Sequence, residues 1–187
     1  ISGDMLLSSL VNLGADKNKI IEGIIKSQKF LSGSTIKKMD FQKIEKQGIE
    51  STELILEIDE NVSKRKGIEI KKAISESVNE LNLTTKAKVF AELCISTLIS
   101  SESKIHGISE DSVHFHEASS IDTLVDIVGT TIALDDLRLF EEKIVCLPVS
   151  VGGGTVSFSH GTMSNPASAV LQIFKNSNLN IQGNNSK

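Results

Sequence analysis

The chain has 187 residues, of which 39% are hydrophobic, so it can bury a core of its own and is not expected to be disordered. Its formal net charge is −4, only 4% of its residues are aromatic, and it contains neither Trp nor Tyr. Without a basic stripe or stacking aromatic residues, a nucleic-acid partner is not expected. Small molecules or ions are the expected partners.

Composition also favours a cytoplasmic protein. The apolar runs are only a few residues long, well short of the ~20 that a membrane span needs, and no charged-then-apolar leader is seen, so no membrane association is expected. The two cysteines, Cys94 and Cys146, lie far apart in apolar stretches. We expect both to be buried in the core, with no disulfide framework and no CxxC metal site. Because no disulfide framework is expected, we expect the protein to work in a reducing compartment.

The first predicted elements are two helices and a β-hairpin. Ser2 is placed to cap the first helix, and Asp4 lies in its first turn, where a carboxylate complements the helix dipole. Asp16 is placed to cap the second helix, which carries a stripe of isoleucines. Between residues 34 and 58, apolar and polar residues alternate on either side of a turn around Gly48. This alternation predicts an antiparallel pair of strands.

The rest of the chain is predicted to be mainly helical, with short strands. Because the helices cluster around few strands, the expected fold class is α+β, with helices packed on a small, mostly antiparallel sheet. Both ends of the chain look cut, and residues 1–187 are expected to form a single domain. The remaining predicted helices span 66–81, 85–101, 121–137 and 166–174, and the predicted strands span 143–151 and 155–159.

The first candidate site is the sequence VHFHE at residues 113–117. In an extended segment the side chains alternate, so His114 and His116 project together while Phe115 turns into the core. Two imidazoles on one side of a strand can bind one metal ion. Glu117 joins them if the turn before the next helix brings its carboxylate round. The alternative is that the two histidines form only a polar strand edge.

The predicted helix at 121–137 carries two carboxylates on one face. Apolar residues cover most of its circumference, and the remaining stripe holds Asp122, Asp126 and Gly129. Carboxylates on a mostly buried helix cost several kcal/mol unless they are paired, hydrogen-bonded or bound to a metal. Gly129 is a poor helix former by about 1 kcal/mol, which predicts a close approach to the backbone there. The alternative is a solvated groove with Asp122 as a helix cap.

A third candidate site is the run Gly152, Gly153 and Gly154, which ends the predicted strand before it and is followed by His160. Successive backbone N–H groups in such a turn suit a phosphate or a carboxylate. Neither the Walker spacing nor the GxGxxG spacing of dinucleotide sites is present. The simpler alternative is a flexible hairpin turn, with His160 in a structural role.

Four ordered blocks of the sequence resemble the nickel insertion protein family, and together they cover almost the whole chain. They are ISGDMLLSSLVNLGAD at the start, SESKIHG at 101–107, VHFHEASSIDTLVDIVGTTIALDDL from 113, and LPVSVGGGTV with SHGTMSNPASAVLQIF from 147. The resemblance implies a nickel-inserting cyclometallase, a lyase that acts on pyridinium-3,5-bisthiocarboxylic acid mononucleotide. Its product is the nickel-pincer nucleotide cofactor of lactate racemase-type enzymes. The resemblance also implies dependence on CTP with Mg²⁺ or Mn²⁺.

The resemblance assigns roles to the three candidate sites. Departures from the family pattern occur at Ala118-Ser119-Ser120, after the histidines, and at residues 165–168, where the usual run of prolines is reduced. The first departure bears on the aim of Glu117. The implied residues are His114, His116 and Glu117 for nickel, Asp122 and Asp126 as ligand, support or base, and Gly152, Gly153, Gly154 and His160 for the substrate phosphate.

The resemblance covers the N-terminal portion of the family. The C-terminal region, to which CTP binding is attributed, is expected to lie beyond Lys187 and to be a partner of this portion, which alone is expected to bind metal and substrate without necessarily completing the reaction. The sequence leaves a homo-oligomer open. One alternative is a non-catalytic module that binds and delivers nickel, and another is a metal-free nucleotide pocket. Cupins are excluded by the helix that follows the histidines, and amidohydrolases by the ~250 residues that their barrel needs.

Overall fold

Helices make up most of the fold in a computed structural model that describes residues 2–115, 121–158 and 161–183. None of the helices within these ranges is long and apolar enough to cross a membrane. The helices are α1 (Gly3–Leu13), α2 (Lys17–Ser27), α3 (Gly67–Glu80), α4 (Thr85–His106), α5 (Ile121–Asp136) and α6 (Ser168–Lys175).

The strands form two-stranded pairs in the described part of the chain. Strands β1 and β2, β3 and β4, and β6 and β7 pair antiparallel, whereas β5 and β8 pair parallel. Helices with small, mostly antiparallel sheets confirm the α+β fold class. The strands are β1 (Ser34–Lys46), β2 (Ile49–Glu60), β3 (Arg65–Lys66), β4 (His114–Phe115), β5 (Val149–Val151), β6 (Thr155–Phe158), β7 (Gly161–Ser164) and β8 (Ile181–Gly183).

The hairpin β1–β2 follows the predicted alternation. Lys46 pairs with Ile49, so Gln47 and Gly48 alone form the turn. Both turn residues have positive φ, 55° and 80°, as a two-residue type I′ turn requires. The register shifts once, between Ile36 and Lys38. The hairpin and its turn at Gly48 were therefore predicted correctly.

Helix α5 is the central element of the core. It packs against α1, α2, α3 and α4, and Leu124, Val125 and Val128 are each fully buried. Burial of each such side chain stabilises the fold by about 1.5–3 kcal/mol. The close approach predicted at Gly129 is confirmed, because a Cβ added there would lie 2.8 Å from Cδ2 of the buried Leu7 in α1. The core therefore fixes α1 against α5.

Side chains cap two of the helices, one of them at the predicted residue Asp16. Asp16 accepts hydrogen bonds from the backbone N–H groups of Asn18 and Lys19, and Thr84 accepts one from the N–H of Ala87. Ser2 occupies the N-cap position of α1, but its side chain makes no capping bond and its hydroxyl donates to Asp4 instead. The prediction for Ser2 was therefore right in position and wrong in contact.

The segment that precedes β5 departs from the prediction. The predicted strand 143–151 is reduced to Val149–Val151, and Ile144, Val145 and Leu147 are 70%, 73% and 80% exposed. Cys146 lies on this exposed segment, so its predicted burial was wrong. The residues have strand-like composition, but no strand in the described ranges pairs with 143–148.

Two further elements refine the predictions. Cys94 on α4 is half-buried, and this burial raises the pKa of its thiol. Helix α6 begins at Ser168, after the N-cap Ala167, and not at the predicted Pro166. Both cysteines are free thiols, as expected.

Candidate functional site

His114 lies on the short strand β4 with its imidazole in solvent. Its neighbours Val113 and Phe115 are 1% and 3% exposed, so the side chains alternate as the sequence predicts. The ring atom Nδ1 is 2.8 Å from the carbonyl oxygen of Ser112. A carbonyl oxygen can only accept, so Nδ1 donates, and in the neutral ring Nε2 keeps the lone pair that can bind a metal ion. A backbone carbonyl that fixes the tautomer in this way is typical of metal-binding histidines.

The strand that carries His114 is held against the start of α3. Phe115 pairs with Arg65 and His114 with Lys66, and the N–H of Gly67 donates to the carbonyl of Val113 at 2.9 Å. Gly67 permits this approach, because a Cβ there would lie 2.9 Å from Ile99 and 3.3 Å from Phe115. The backbone around His114 is therefore fixed by neighbours on both strand and helix.

Asp126, on the predicted carboxylate face of α5, lies against the beginning of α1. A Cβ added to Gly3 would lie 2.2 Å from both Cγ and Oδ2 of Asp126, so only glycine fits beside this carboxyl group. Three residues further along α5, Gly129 contacts Leu7. Helices α1 and α5 thus run side by side in the same direction, which brings the first turn of α1 to Asp126.

The carboxyl group of Asp126 holds its proton unusually tightly. Burial is the main cause, and the negative charges of Asp122 and Asp4 add to it, which raises the pKa of Asp126 to about 6. A carboxyl group with a pKa near neutrality can take up and release a proton under physiological conditions. Such a shift, caused by burial and specific charges, marks a candidate functional residue.

Asp122 and Asp4 differ from Asp126 in their exposure. Both are exposed, and the carboxylate of Asp122 accepts a hydrogen bond from the N–H of Thr123 at 2.7 Å. Asp4 accepts from the N–H of Met5 at 2.8 Å. The sequence assigned Asp4 only to the helix dipole, and its place beside Asp126 depends on the α1–α5 contact, which the local pattern does not contain.

The structure brings the predicted residues together only in part. Within the ranges 2–115, 121–158 and 161–183, no three His, Cys, Asp or Glu side chains form a group that could hold a metal ion. The predicted residues His116 and Glu117 lie outside the described residues, so their roles stay predictions.

The glycine run connects β5 with β6 on the surface. Gly154 has a φ of +93°, and its carbonyl accepts a hydrogen bond from the N–H of Asn165 at 3.0 Å. Among the described residues, a Cβ added to Gly152 would meet only the side-chain nitrogen of Asn165, at 3.3 Å, and a Cβ added to Gly153 would meet nothing within 4 Å. The run is therefore an exposed turn with open space beside Gly153 in the described part of the chain. His160 lies outside the described residues, and its role with the turn stays a prediction.

An ion pair between the buried side chain of Arg65 and the half-buried side chain of Glu60 lies near this site and was missed from the sequence. Arg65 is 4% exposed, and its Nη2 lies 2.9 Å from Oε1 of Glu60, 2.6 Å from Oγ of Ser34 and 2.7 Å from the carbonyl of Ser32. The other carboxylate oxygen of Glu60 accepts from the N–H of Ile121, the first residue of α5, at 3.2 Å. Burial raises the pKa of Glu60, but the hydrogen bonds that it accepts outweigh this and leave the pKa below its usual value.

Comparisons with known proteins agree with the resemblance seen in the sequence. The family model described as nickel insertion protein matches residues 1–187. A relative from Staphylococcus saprophyticus, named pyridinium-3,5-bisthiocarboxylic acid mononucleotide nickel insertion protein, is 35% identical over 177 residues, covering 94% of this chain and 42% of the relative. A relative of the same name from Clostridium kluyveri is 34% identical over 184 residues, covering 94% of this chain and 45% of the relative.

The chain spans less than half the length of these relatives. The correspondence of residues 1–187 to a single domain of the longer proteins stays a prediction. No solved structure matches the chain.

Proposed function

This chain belongs to the nickel insertion protein family, and from that membership we propose that it takes part in inserting nickel into pyridinium-3,5-bisthiocarboxylic acid mononucleotide. Nickel is a substrate in this reaction, as is the nucleotide. The single observation that carries the proposal for this chain is the orientation of His114, whose Nδ1 donates to the Ser112 carbonyl and leaves Nε2 for the metal. Nickel accepts imidazole and carboxylate ligands, and the substrate supplies the sulfurs.

The proposed nickel ligands are His114, His116 and Glu117. His114 stands on the surface of the protein, where a nucleotide can reach a metal bound to it. Ligands of this kind release a metal more readily than a closed cage of thiolates. A protein that must transfer nickel to its substrate needs such displaceable ligands.

Asp126 is the proposed base for the carbon–metal bond. As nickel approaches the ring carbon, the electron pair of the C–H bond becomes the carbon–nickel bond, and the proton passes to the carboxylate of Asp126. Nickel stays divalent, because no electrons leave the pair. A pKa raised to about 6 makes the carboxylate a stronger base than an ordinary aspartate while it remains mostly ionised at pH 7. Asp122, one turn away on the same helix face, is proposed as a further ligand or support.

The glycine turn at 152–154 and His160 are proposed to hold the substrate phosphate. The turn supports this role because it is exposed and none of the described residues lies within 4 Å of a Cβ added to Gly153. The CTP dependence, with Mg²⁺ or Mn²⁺, is proposed for the reaction as a whole, and no residue of this chain is assigned to it.

Nickel titration by calorimetry tests the proposal. His114→Ala is expected to weaken nickel binding by at least the ~10–100-fold that loss of a supporting residue costs in metal sites. His106→Ala is the matched control, since His106 is also an exposed histidine but ends α4 and pairs with Glu102 at 3.3 Å. Equal nickel affinity in wild type and His114→Ala contradicts the proposal.

The exposure of His114 also favours a second candidate, a module that binds nickel and delivers it without catalysis. The two functions separate when this chain is incubated with the dithiolated nucleotide, nickel and CTP. Formation of the nickel-pincer nucleotide by residues 1–187 alone excludes the delivery-only function. If residues 1–187 bind nickel without forming the product, while a full-length relative forms it under the same conditions, the delivery function is favoured.

A further inference from the structure

One short stretch of chain, residues 60–66, contacts both strand β4 and the first residue of α5. Arg65 pairs with Phe115 in the β3–β4 ladder, and Glu60 accepts the N–H of Ile121. Resting on the proposed function, we infer that Glu60 and Arg65 are positioning residues of the nickel site, because their ion pair holds the strand of His114 and the helix of Asp126 in one fixed relation.

The strand side of this connection is made by Arg65. Its backbone lies opposite Phe115, and the next residue, Lys66, lies opposite His114. Its guanidinium reaches back to the carbonyl of Ser32 and the hydroxyl of Ser34 on the neighbouring hairpin. The position of the β3–β4 ladder is thereby tied to the first hairpin.

The helix side is made by Glu60 at the end of β2. The first N–H groups of a helix have no partner within the helix, and Glu60 provides one for Ile121. A carboxylate also complements the positive end of the helix dipole. Because α5 is rigid and buried, fixing Ile121 also fixes the direction in which Asp122 and Asp126 project.

The strand side and the helix side of this connection both depend on the carboxylate of Glu60. Oε1 of Glu60 takes the bond from Arg65 and Oε2 takes the bond from Ile121, while the hydroxyl of Ser34 lies 2.8 Å from both oxygens. A buried ion pair is weak evidence for stability, since its desolvation offsets the attraction. A role in positioning the site therefore explains the burial of Arg65 and its pairing with Glu60 better than a gain in stability does.

Glu60→Gln tests the inference with little change in volume. Arg65 and Ile121 donate to different oxygens of Glu60, and the amide replaces one of these oxygens by a donating nitrogen, so one of the two bonds is lost unless the groups move. Nickel binding is expected to weaken about tenfold or more, and the amide of Ile121 is expected to exchange with deuterium about tenfold faster at a temperature where the fold is intact. Arg65→Lys, which keeps the charge but loses the guanidinium fork, is the second variant, with the same expected changes.

Two control variants separate positioning from stability. Glu80→Gln makes the same chemical change in the exposed pair with Lys29 and is expected to leave nickel affinity unchanged. Val78→Ala removes buried volume near the end of α3 and is expected to lower the melting temperature without changing nickel affinity. If Glu60→Gln binds nickel as wild type does, or if Val78→Ala weakens nickel binding equally at an equal loss of melting temperature, the inference is overturned.

The outcomes distinguish this inference from the proposed function. Nickel binding that depends on His114 but not on Glu60 overturns the positioning role alone. Wild-type protein that binds no nickel overturns the proposed function and with it the nickel role of the pair. Unchanged deuterium exchange at Ile121 in Glu60→Gln overturns the helix side of the connection whatever the metal does.

Discussion

Replacing Asp126 by Asn is expected to stabilise the protein at pH 7. The folded protein raises the pKa of Asp126 from 3.8 to about 6, because the group is half-buried and near the carboxylates of Asp122 and Asp4. The charged form is therefore disfavoured in the folded state. An asparagine keeps the shape of the side chain and removes this unfavourable charge.

The magnitude follows from the pKa shift. One pKa unit corresponds to 1.36 kcal/mol, so a change from 3.8 to about 6 sets an upper limit of about 3 kcal/mol. Solvent screening of a half-exposed group and the favourable dipole at the start of α1 reduce the gain to about 1–2 kcal/mol. For a chain of this size each kcal/mol raises the melting temperature by about 2–4 °C.

The pH dependence identifies the cause. Asp126 has a raised pKa in the folded state, so stability contributed by its protonation is present below the unfolded value of 3.8 and is lost as pH rises towards about 6. Asp126→Asn should therefore match wild type near pH 3.5 and exceed it at pH 7, as measured by chemical unfolding across that range.

Asp136→Asn is the control on the same helix. A hydrogen bond from Lys19 lowers the pKa of Asp136, so this variant should be less stable than wild type at neutral pH and approach it as the pH falls through the folded pKa. A gain for Asp126→Asn that is constant with pH, or a loss at pH 7, would show that the charge of Asp126 is not disfavoured in the folded state.

Three further predictions concern the packing at Gly67, the cap of α4 at Thr84, and the exposed segment that contains Cys146. Gly67→Ala should cost about 1–3 kcal/mol of unfolding free energy, because the added Cβ meets the buried Ile99 and Phe115, whereas Gly153→Ala, with open space around it, should change little in the same unfolding assay. Thr84→Ala should cost about 1 kcal/mol through loss of the cap to Ala87, and Thr84→Ser should restore most of it; full stability in the alanine variant contradicts the cap. In a thiol-reagent time course, exposed Cys146 should react fast in the native state and half-buried Cys94 slowly, with Cys146→Ser removing the fast phase; a fast phase that persists in that variant contradicts the assignment.

Local patterns were enough to predict the helices and the first hairpin. The isoleucine stripe of α2, the alternation in β1 and β2, and the apolar circumference of α5 each contain the period of their element. Asp16 and Thr84 act as caps because capping is decided within three residues of sequence. The alternation of Val113, His114 and Phe115 was predictable for the same reason.

Contacts between distant parts of the chain were not predictable in this way. Glu60 bonds to Ile121 across 61 positions, and Arg65 lies in a charged run that resembles an exposed loop. The helix face predicted that Asp126 lies on a mostly buried helix, but its neighbours Gly3 and Asp4 depend on how α1 lies along α5. The error at Cys146 has the opposite origin, because an apolar segment is buried only when another element covers it.

The most direct measurement is calorimetric titration of nickel into wild type, His114→Ala and His106→Ala under one set of conditions. We expect wild type and His106→Ala to bind nickel with equal affinity and His114→Ala to bind it much more weakly, because Nδ1 of His114 donates to the carbonyl of Ser112, whereas His106 ends α4 beside Glu102. Equal affinity in all three proteins, or a loss confined to His106→Ala, would show that His114 is not a nickel ligand.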